Sequence, residues 1–245
     1  MIDKLKIYHQ AVSIRKKLGE SDTSPIDAFH IVQNIPHFSL ILYPMGNNIS
    51  GMCVKIGKDT VIAINSSMSI GRQNFSIAHE LYHYYFDDSQ KTIICKKDIG
   101  KGNEIERCAD QFAAYFLMPL EGEILNKKIN TITFEEVIQL EQLYRVSHQA
   151  MLYRLLEEKL ITTELMEEYR NNVMRTAANL GYDTSLYKPS GSEKERKTYG
   201  YYIKQAQTLL DKELISDGKF EQLLLEALRH DLVFGDDSDE EELND

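Results

Sequence analysis

The sequence has few cysteines and no long apolar run. Its three cysteines, Cys53, Cys95 and Cys108, are odd in number and form no CxxC pair, which favours a reducing compartment over a disulfide framework or a zinc ribbon. No stretch approaches the roughly 18 apolar residues of a membrane-spanning helix, and the first residues hold no apolar signal segment. We therefore expect a cytoplasmic protein that neither spans a membrane nor is exported.

The sequence also lacks an excess of basic residues. It contains 28 Lys and Arg residues against 38 Asp and Glu residues, which gives a net charge of -10. Residues 235–245 contain seven acids and no base, so the rest of the chain is nearly neutral and this end is predicted to be a disordered acidic tail. Because the chain has no basic run, no Gly-rich phosphate loop and no internal repeat, we expect no direct nucleic-acid binding.

The residues that are present include an HELYH motif that begins at His79. It lies in a stretch, residues 69–87, that is predicted to be a helix with a serine cap. Residues four apart share one face of a helix, so His79 and His83 can bind one metal ion together. Glu80 is rotated by about 100° from His79 and can reach a water at that metal as a general base. The alternative is a pair of hydrogen-bonded core histidines, since the surrounding apolar residues predict a buried helix.

A third metal ligand is predicted on a second helix, which begins near Asn103 and ends before Pro119. Glu106 lies in its first turn, where it could instead be the partner of Asn103 in a capping box. Asp110 follows one turn later, inside an apolar run that should bury it, and a buried carboxylate needs a cation or a strong donor. Glu106 as metal ligand, with Asp110 accepting the N–H of a ligating imidazole, would satisfy both carboxylates. HExxH followed by ExxxD is far more specific than HExxH alone.

Residues 24–120 resemble the ImmA/IrrE family of bacterial and phage metallo-endopeptidases. The resemblance rests on four segments, namely ISGM at 49–52, INS at 64–66, RQNFSIAHE at 72–80 and ERCADQFAAYFLMP at 106–119. It implies a small zincin-like fold and cleavage of a repressor-type DNA-binding protein encoded nearby, which relieves repression. Family members commonly have Gly where this chain has Tyr82, a position off the metal-facing side of the helix.

Together these observations predict a zinc-dependent endopeptidase. Zn²⁺ held by His79, His83 and Glu106 would keep a fourth position for water and lower that water's pKa, and Glu80 would take the water's proton. Two nitrogens and one carboxylate favour zinc, although Mn²⁺ or another divalent ion suits the same ligands. A further donor is expected to stabilise the oxyanion. The unranked candidates are Tyr115, Tyr144, His148 and Arg154.

The alternative function is a non-enzymatic regulator, in which a helix-turn-helix-like segment binds DNA or a repressor and the metal is structural. A structural zinc normally has four protein ligands. The sequence contains only three candidate ligands for this metal, which favours catalysis. A broad-specificity intracellular peptidase without a dedicated repressor substrate is a further possibility, and only the family resemblance argues against it.

The predicted fold class is α+β, with a zincin-like domain at residues 1–125. This domain is expected to contain helices at 3–19 and 24–35 and a small antiparallel sheet with strands at 38–43, 51–56 and 60–65. We expect the strand at 60–65 to be an exposed edge where a peptide substrate docks, unless it only forms the floor of the core.

The rest of the chain is predicted to be helical. Residues 126–178 contain helices at 133–144 and 147–159 whose short connection resembles a helix-turn-helix, although one fixed cation on the second helix favours packing or substrate docking over DNA binding. Residues 179–198 are predicted to be a linker or long loop. Residues 199–234 are predicted to form C-terminal helices at 201–210 and 219–232.

Overall fold

The computed structural model describes residues 2–46, 48–87, 92–96, 98–120, 125–189 and 196–235. The strands in these ranges are β1 Phe38–Tyr43, β2 Ile49–Ile56, β3 Asp59–Asn65, β4 Ile93–Lys96 and β5 Lys197–Gly200. The helices are α1 Lys4–Lys17, α2 Ala28–Val32, α3 Ile70–Phe86, α4 Glu104–Leu117, α5 Phe134–Tyr144, α6 His148–Glu157, α7 Thr163–Glu168, α8 Val173–Asn179, α9 Tyr201–Asp211, α10 Asp217–Glu226 and α11 His230–Phe234. The predicted α+β class is confirmed. Within the described ranges, no helix combines the length and apolar character needed to cross a membrane.

The five strands form one mixed sheet in the order β4-β2-β3-β1-β5. Strand β2 pairs antiparallel with β3 and β4, and β1 pairs antiparallel with β5. Strands β1 and β3 are parallel, with Phe38 opposite Thr60. The prediction of an antiparallel sheet is therefore wrong for this pair of strands. The β2–β3 hairpin is visible in the sequence because a short turn fixes it locally. The β1–β3 pairing joins strands that are not consecutive in the chain, so no local sequence pattern predicts it.

The predicted docking strand at 60–65 is not an edge strand. It corresponds to β3, which has β2 on one side and β1 on the other, so its backbone groups are already paired. Among the described strands, the edges are β4 and β5, which have four residues each. Strands this short show no clear alternation of apolar and polar residues, and the sequence did not predict them.

Helix α3 lies against the sheet, and α4 packs beside it. Ser69 caps α3 as predicted, because its hydroxyl accepts a hydrogen bond from the Arg72 backbone N–H. Phe75 of α3 and Phe112 and Phe116 of α4 are fully buried, and the two α4 rings stack with centroids 5.5 Å apart. Full burial of one such ring contributes about 2–3 kcal/mol. The hydrophobic core therefore fixes the two helices on which the predicted metal ligands lie.

The connection between α5 and α6 is packed against the first turns of α3. Arg145 ends α5 in the left-handed conformation, at φ 52°. Its carbonyl accepts a hydrogen bond of 2.8 Å from the Asn74 side chain of α3. A Cβ added to Gly71 of α3 would lie 2.6 Å from the backbone of Val146. The turn that resembles a helix-turn-helix is thus covered by the first turns of α3, which also carries the HELYH motif.

Two predicted helix boundaries are wrong. Helix α2 begins at Ala28, because the Asp27 side chain rather than that of Ser24 accepts the capping hydrogen bond. The helix predicted at 219–232 is divided into α10 and α11, because Leu228 adopts a left-handed φ of 61° between them.

Part of the predicted linker at 179–198 contacts the start of α3. Ser185–Tyr187 form a short 3-10 turn, and the Lys188 carbonyl accepts a hydrogen bond of 2.9 Å from the Ile70 backbone N–H at the start of α3. Residues 190–195, and the predicted acidic tail from residue 236 onward, lie outside the described residues. The predicted division into domains stays a prediction.

Candidate metal centre

His79 and His83 lie side by side on the buried face of α3. Their Nε2 atoms are 3.3 Å apart, which follows from the four-residue spacing on a continuous helix. His79 is 6 % exposed and His83 is fully buried. Two imidazoles that meet in the core need an additional partner between them.

Glu106 reaches the same point from α4. Its Oε2 lies 3.4 Å from Nε2 of His79, and its Oε1 lies 3.5 Å from Nε2 of His83. Asn103 caps α4 by accepting a hydrogen bond from the Glu106 backbone N–H. Asn103 thus caps the helix, but the Glu106 side chain faces the histidines and does not complete a capping box with the Asn103 backbone.

The outer nitrogen of each imidazole faces a carboxylate. Asp110 Oδ1 lies 2.8 Å from Nδ1 of His79, and Asp110 Oδ2 accepts a hydrogen bond of 2.6 Å from the Gly100 backbone N–H. Asp87 Oδ2 lies 3.2 Å from Nδ1 of His83. These contacts point Nε2 of both rings at the shared centre. Sequence reasoning missed Asp87, although its i,i+4 spacing from His83 at the end of α3 was a usable signal.

Glu80 is fully buried beside the two histidines. Neither oxygen of its carboxylate has a hydrogen-bond partner in the described part of the chain. Burial raises the pKa of Glu80 to about 7, and the opposing effects of His79 and the nearby Cys95 thiol do not cancel that increase. A Cβ added to Gly51 on β2 would lie 2.8 Å from Oε1 of Glu80. The absence of a side chain at Gly51 gives this carboxylate its space.

Cys95 of β4 is the residue at the centre that sequence reasoning did not find. Its Sγ lies 3.6 Å from Nε2 of His83, and the side chain is fully buried. The ligand atoms of His79, His83, Cys95 and Glu106 all lie within 4.8 Å of one another. The spacing of Cys95 from the HExxH motif matches no zinc motif that would have indicated it.

The electrostatics of the cluster favour a positive charge. Burial alone would lower the pKa of His79, but hydrogen bonds with Asp110, Cys95 and Glu106 raise it well above its usual value. Burial and the neighbouring His79 lower the pKa of His83. Burial opposes ionisation of Glu106, yet both histidines hold its pKa below the usual value. Two imidazoles and carboxylates arranged around a single positive charge are also a suitable donor set for a cation.

The distances are close to those of a tetrahedral metal site. With Zn–N bonds of about 2.0–2.1 Å and Zn–S bonds of about 2.3 Å, neighbouring ligand atoms are separated by about 3.3–3.6 Å. Four ligand-atom pairs of the cluster are separated by 3.3, 3.4, 3.5 and 3.6 Å, the two glutamate distances being to different oxygens, and one ligand atom from each of the four residues lies within 4.8 Å of the others. The side chains present are therefore close enough together to bind one divalent metal such as zinc.

The centre opens onto a cavity of about 600 Å³. His79, Glu106 and Asp110 line it together with the exposed apolar side chains of Ile94 on β4 and Ile105 on α4. Three further cavities, of about 560, 570 and 930 Å³, are lined by none of the four candidate ligands. The 600 Å³ cavity is the one in contact with the candidate ligands, and we assign it as the candidate substrate site on that basis.

The four candidate oxyanion donors have other partners. Tyr144 and Arg154 donate hydrogen bonds to backbone carbonyls at the end of α4. The Arg154 guanidinium carbon lies 4.6 Å from the centroid of the Tyr115 ring. His148 contacts the buried Glu141 carboxylate at 2.5 Å. The polar groups of Tyr144, Arg154 and His148 are thus engaged with other partners, and none of the four residues lines the 600 Å³ cavity at the cluster.

Comparison with known proteins supports the resemblance found in the sequence. Residues 44–156 match the family model Peptidase_M78, described as an IrrE N-terminal-like domain. This range contains β2, β3, α3, β4 and α4, and thus every candidate ligand described above. No curated protein matches the chain.

Proposed function

Because residues 44–156 form an IrrE N-terminal-like domain of the Peptidase_M78 family, we propose that the protein is a zinc-dependent endopeptidase with His79, His83 and Glu106 as metal ligands. The observation that carries the proposal is the convergence of two imidazole nitrogens and one carboxylate beside a buried carboxylate, Glu80, that has no hydrogen-bond partner in the described residues. A peptidase needs a metal site of this composition and a base next to it.

In this proposal each residue near the metal has a separate role in hydrolysis. A divalent metal bound at the site would polarise the scissile carbonyl and make a water more acidic. Glu80 accepts the proton of the attacking water and delivers it to the leaving amine. Asp110 and Asp87 hold His79 and His83 with their Nε2 atoms directed at the centre. Burial of Glu80 keeps its proton affinity close to that needed at neutral pH.

The proposed docking site for the substrate is the outer edge of β4. This strand carries Cys95 and is paired on one side by β2, while its other side faces no described strand. An extended peptide added there would pair with the backbone of β4 and place its side chains in the 600 Å³ cavity. The exposed side chains of Ile94 and Ile105 favour apolar residues near the scissile bond.

We propose that the physiological substrate is a repressor-type DNA-binding protein, as the ImmA/IrrE resemblance implies. The test is a gel of the purified, zinc-loaded protein mixed with the helix-turn-helix repressors encoded beside it, with Glu80→Gln as the control. A discrete cut by the wild type alone supports both enzyme class and substrate. No cut of any repressor by a zinc-loaded preparation that does cleave test peptides would remove the substrate proposal. Loss of zinc in Glu80→Gln would instead show that Glu80 is a ligand and not the base.

A non-enzymatic regulator with a structural metal remains the alternative, and one observation favours it. Cys95 brings the number of possible protein ligands to four, which is the usual count of a structural zinc site. A purely structural site, however, gives no reason for burying the Glu80 carboxylate without a partner. We therefore retain the peptidase as the primary proposal.

A further inference from the structure

Cys95 brings a fourth possible protein ligand to the candidate metal centre. Catalytic zinc sites have three protein ligands and one open position, and four protein ligands close that position. The separation of 3.6 Å between Cys95 Sγ and His83 Nε2 equals the separation expected for two ligands of the same tetrahedral zinc ion. Thiolate sulfur is also among the strongest zinc donors in proteins.

The backbone around Cys95 is built in a way that directs this side chain. The pairing of β2 with β4 is interrupted by a bulge between Ile49 and Gly51, directly opposite Cys95. Bulges commonly re-aim a side chain next to a functional site. The Ser50 hydroxyl at the bulge donates hydrogen bonds to the carbonyls of Cys95 and Lys96, at 3.3 and 3.1 Å. The sulfur is therefore held in position by its own strand as well as by the core.

Glu80 indicates that the same centre is suited to hydrolysis. Its carboxylate is fully buried and has no hydrogen-bond partner in the described residues. Such a group is costly unless a water or a substrate proton occupies the space beside it. The Glu80 carboxylate would accept a proton from a metal-bound water. A sulfur ligand at the fourth position of the metal would exclude that water, and this combination is expected of an inactive form of the enzyme.

We infer that Cys95 is a fourth protein ligand that holds the peptidase latent, and that displacement of its sulfur opens the site to water. This inference rests on the proposed function. The displacement must move Cys95 on β4, a four-residue strand that has β2 on one side and no other described strand on the other. The strand that we propose for substrate docking is thus the strand that carries the inhibitory ligand.

The test uses the full chain with Co²⁺ in place of zinc. Tetrahedral Co²⁺ gives visible d–d absorption whatever its ligands are, whereas a thiolate-to-cobalt charge-transfer band in the near ultraviolet requires a sulfur ligand. We expect both bands in the wild type. Cys95→Ala and Cys95→Ser should keep the visible bands and lose the near-ultraviolet band, with at least about tenfold weaker metal affinity. Cys53→Ala and Cys108→Ala are matched controls and should keep both bands.

Cleavage of an internally quenched peptide mixture by the zinc-loaded proteins then tests latency. We expect Cys95→Ala to cleave at least about tenfold faster than the wild type at saturating zinc, because its fourth position is open to water. Visible bands without the near-ultraviolet band in the wild type would overturn the assignment of Cys95 as a ligand. A near-ultraviolet band combined with equal or slower cleavage by Cys95→Ala would overturn latency. Absence of all cobalt bands would instead refute the metal site on which the proposed function rests, so the two failures are distinguishable.

Discussion

Asp110→Asn should weaken metal binding far more than its small change in shape suggests. Asp110 accepts two hydrogen bonds, from the ring N–H of His79 at 2.8 Å and from the Gly100 backbone N–H at 2.6 Å. An asparagine has one acceptor oxygen and one NH₂ group, so whichever way its amide is turned, one of these donors faces another donor. Leaving a buried donor unsatisfied costs about 1–3 kcal/mol.

The expected result of Asp110→Asn is a 10- to 100-fold loss of zinc affinity, which corresponds to about 1.4–2.7 kcal/mol. Competition against a chromogenic chelator measures this loss directly. Denaturant unfolding in the presence of a chelator should show a fall of about 1–3 kcal/mol in the free energy of unfolding, because the unsatisfied donor persists without the metal.

Asp87→Asn is the matched comparison for this experiment. Asp87 contacts Nδ1 of His83 at 3.2 Å, a longer and therefore weaker hydrogen bond than that of Asp110. Its loss of zinc affinity should be the smaller of the two. Unchanged affinity in Asp110→Asn, or a larger loss in Asp87→Asn, would refute the view that these carboxylates act by orienting the imidazoles.

Three other perturbations test separate parts of the structure. Gly51→Ala should lower the free energy of unfolding by about 1–3 kcal/mol and reduce cleavage, because its Cβ would lie 2.8 Å from Oε1 of Glu80. The control is Gly218→Ala in α10, whose Cβ would meet nothing within 4 Å and which should raise the free energy of unfolding by up to about 1 kcal/mol. Equal effects of the two substitutions would contradict the packing argument. Hydrogen bonding to Arg229 lowers the pKa of Asp231 from 3.8 to about 2, so its stabilisation is complete above about pH 4 and is lost as the pH falls towards 2. Asp231→Asn should therefore cost about 1 kcal/mol at neutral pH after allowance for solvent screening, with the difference from the wild type disappearing near pH 2; a difference independent of pH would exclude this ion pair as its source. Removal of metal with a chelator should lower the thermal midpoint of the wild type, as calorimetry would show, and an unchanged midpoint would mean that the folded chain holds no metal.

The parts of the site that a single helix determines could be predicted from the sequence. The distance between His79 and His83 depends only on helical periodicity, and the cap at the start of α3 is a local hydrogen bond. The same holds for Asp110, whose burial was predicted from its apolar neighbours along α4. The metal helix, the second helix and the α+β class all followed from such local patterns.

The parts that depend on strand pairing could not be predicted. Cys95 reaches the histidines only because β4 pairs with β2 through a bulge, and neither that pairing nor the bulge has a signature in a four-residue strand. The closeness of Gly51 to Glu80 likewise requires the sheet to lie under α3. The position of the 60–65 strand in the interior of the sheet follows from its parallel pairing with β1, which joins strands distant in order.

The antiparallel pairing of β1 with β5 has a consequence for how the protein is made. Strand β5 comes from residues 197–200, whereas the other four strands of the sheet and both metal-site helices lie before residue 120. During synthesis β1 leaves the ribosome well before β5, which lies far along the chain, supplies its outer neighbour. Until then β1, with its fully buried Leu40, offers an open edge to any other extended chain. The nascent protein should therefore be most prone to association in that interval, and the emergence of β5 should end it.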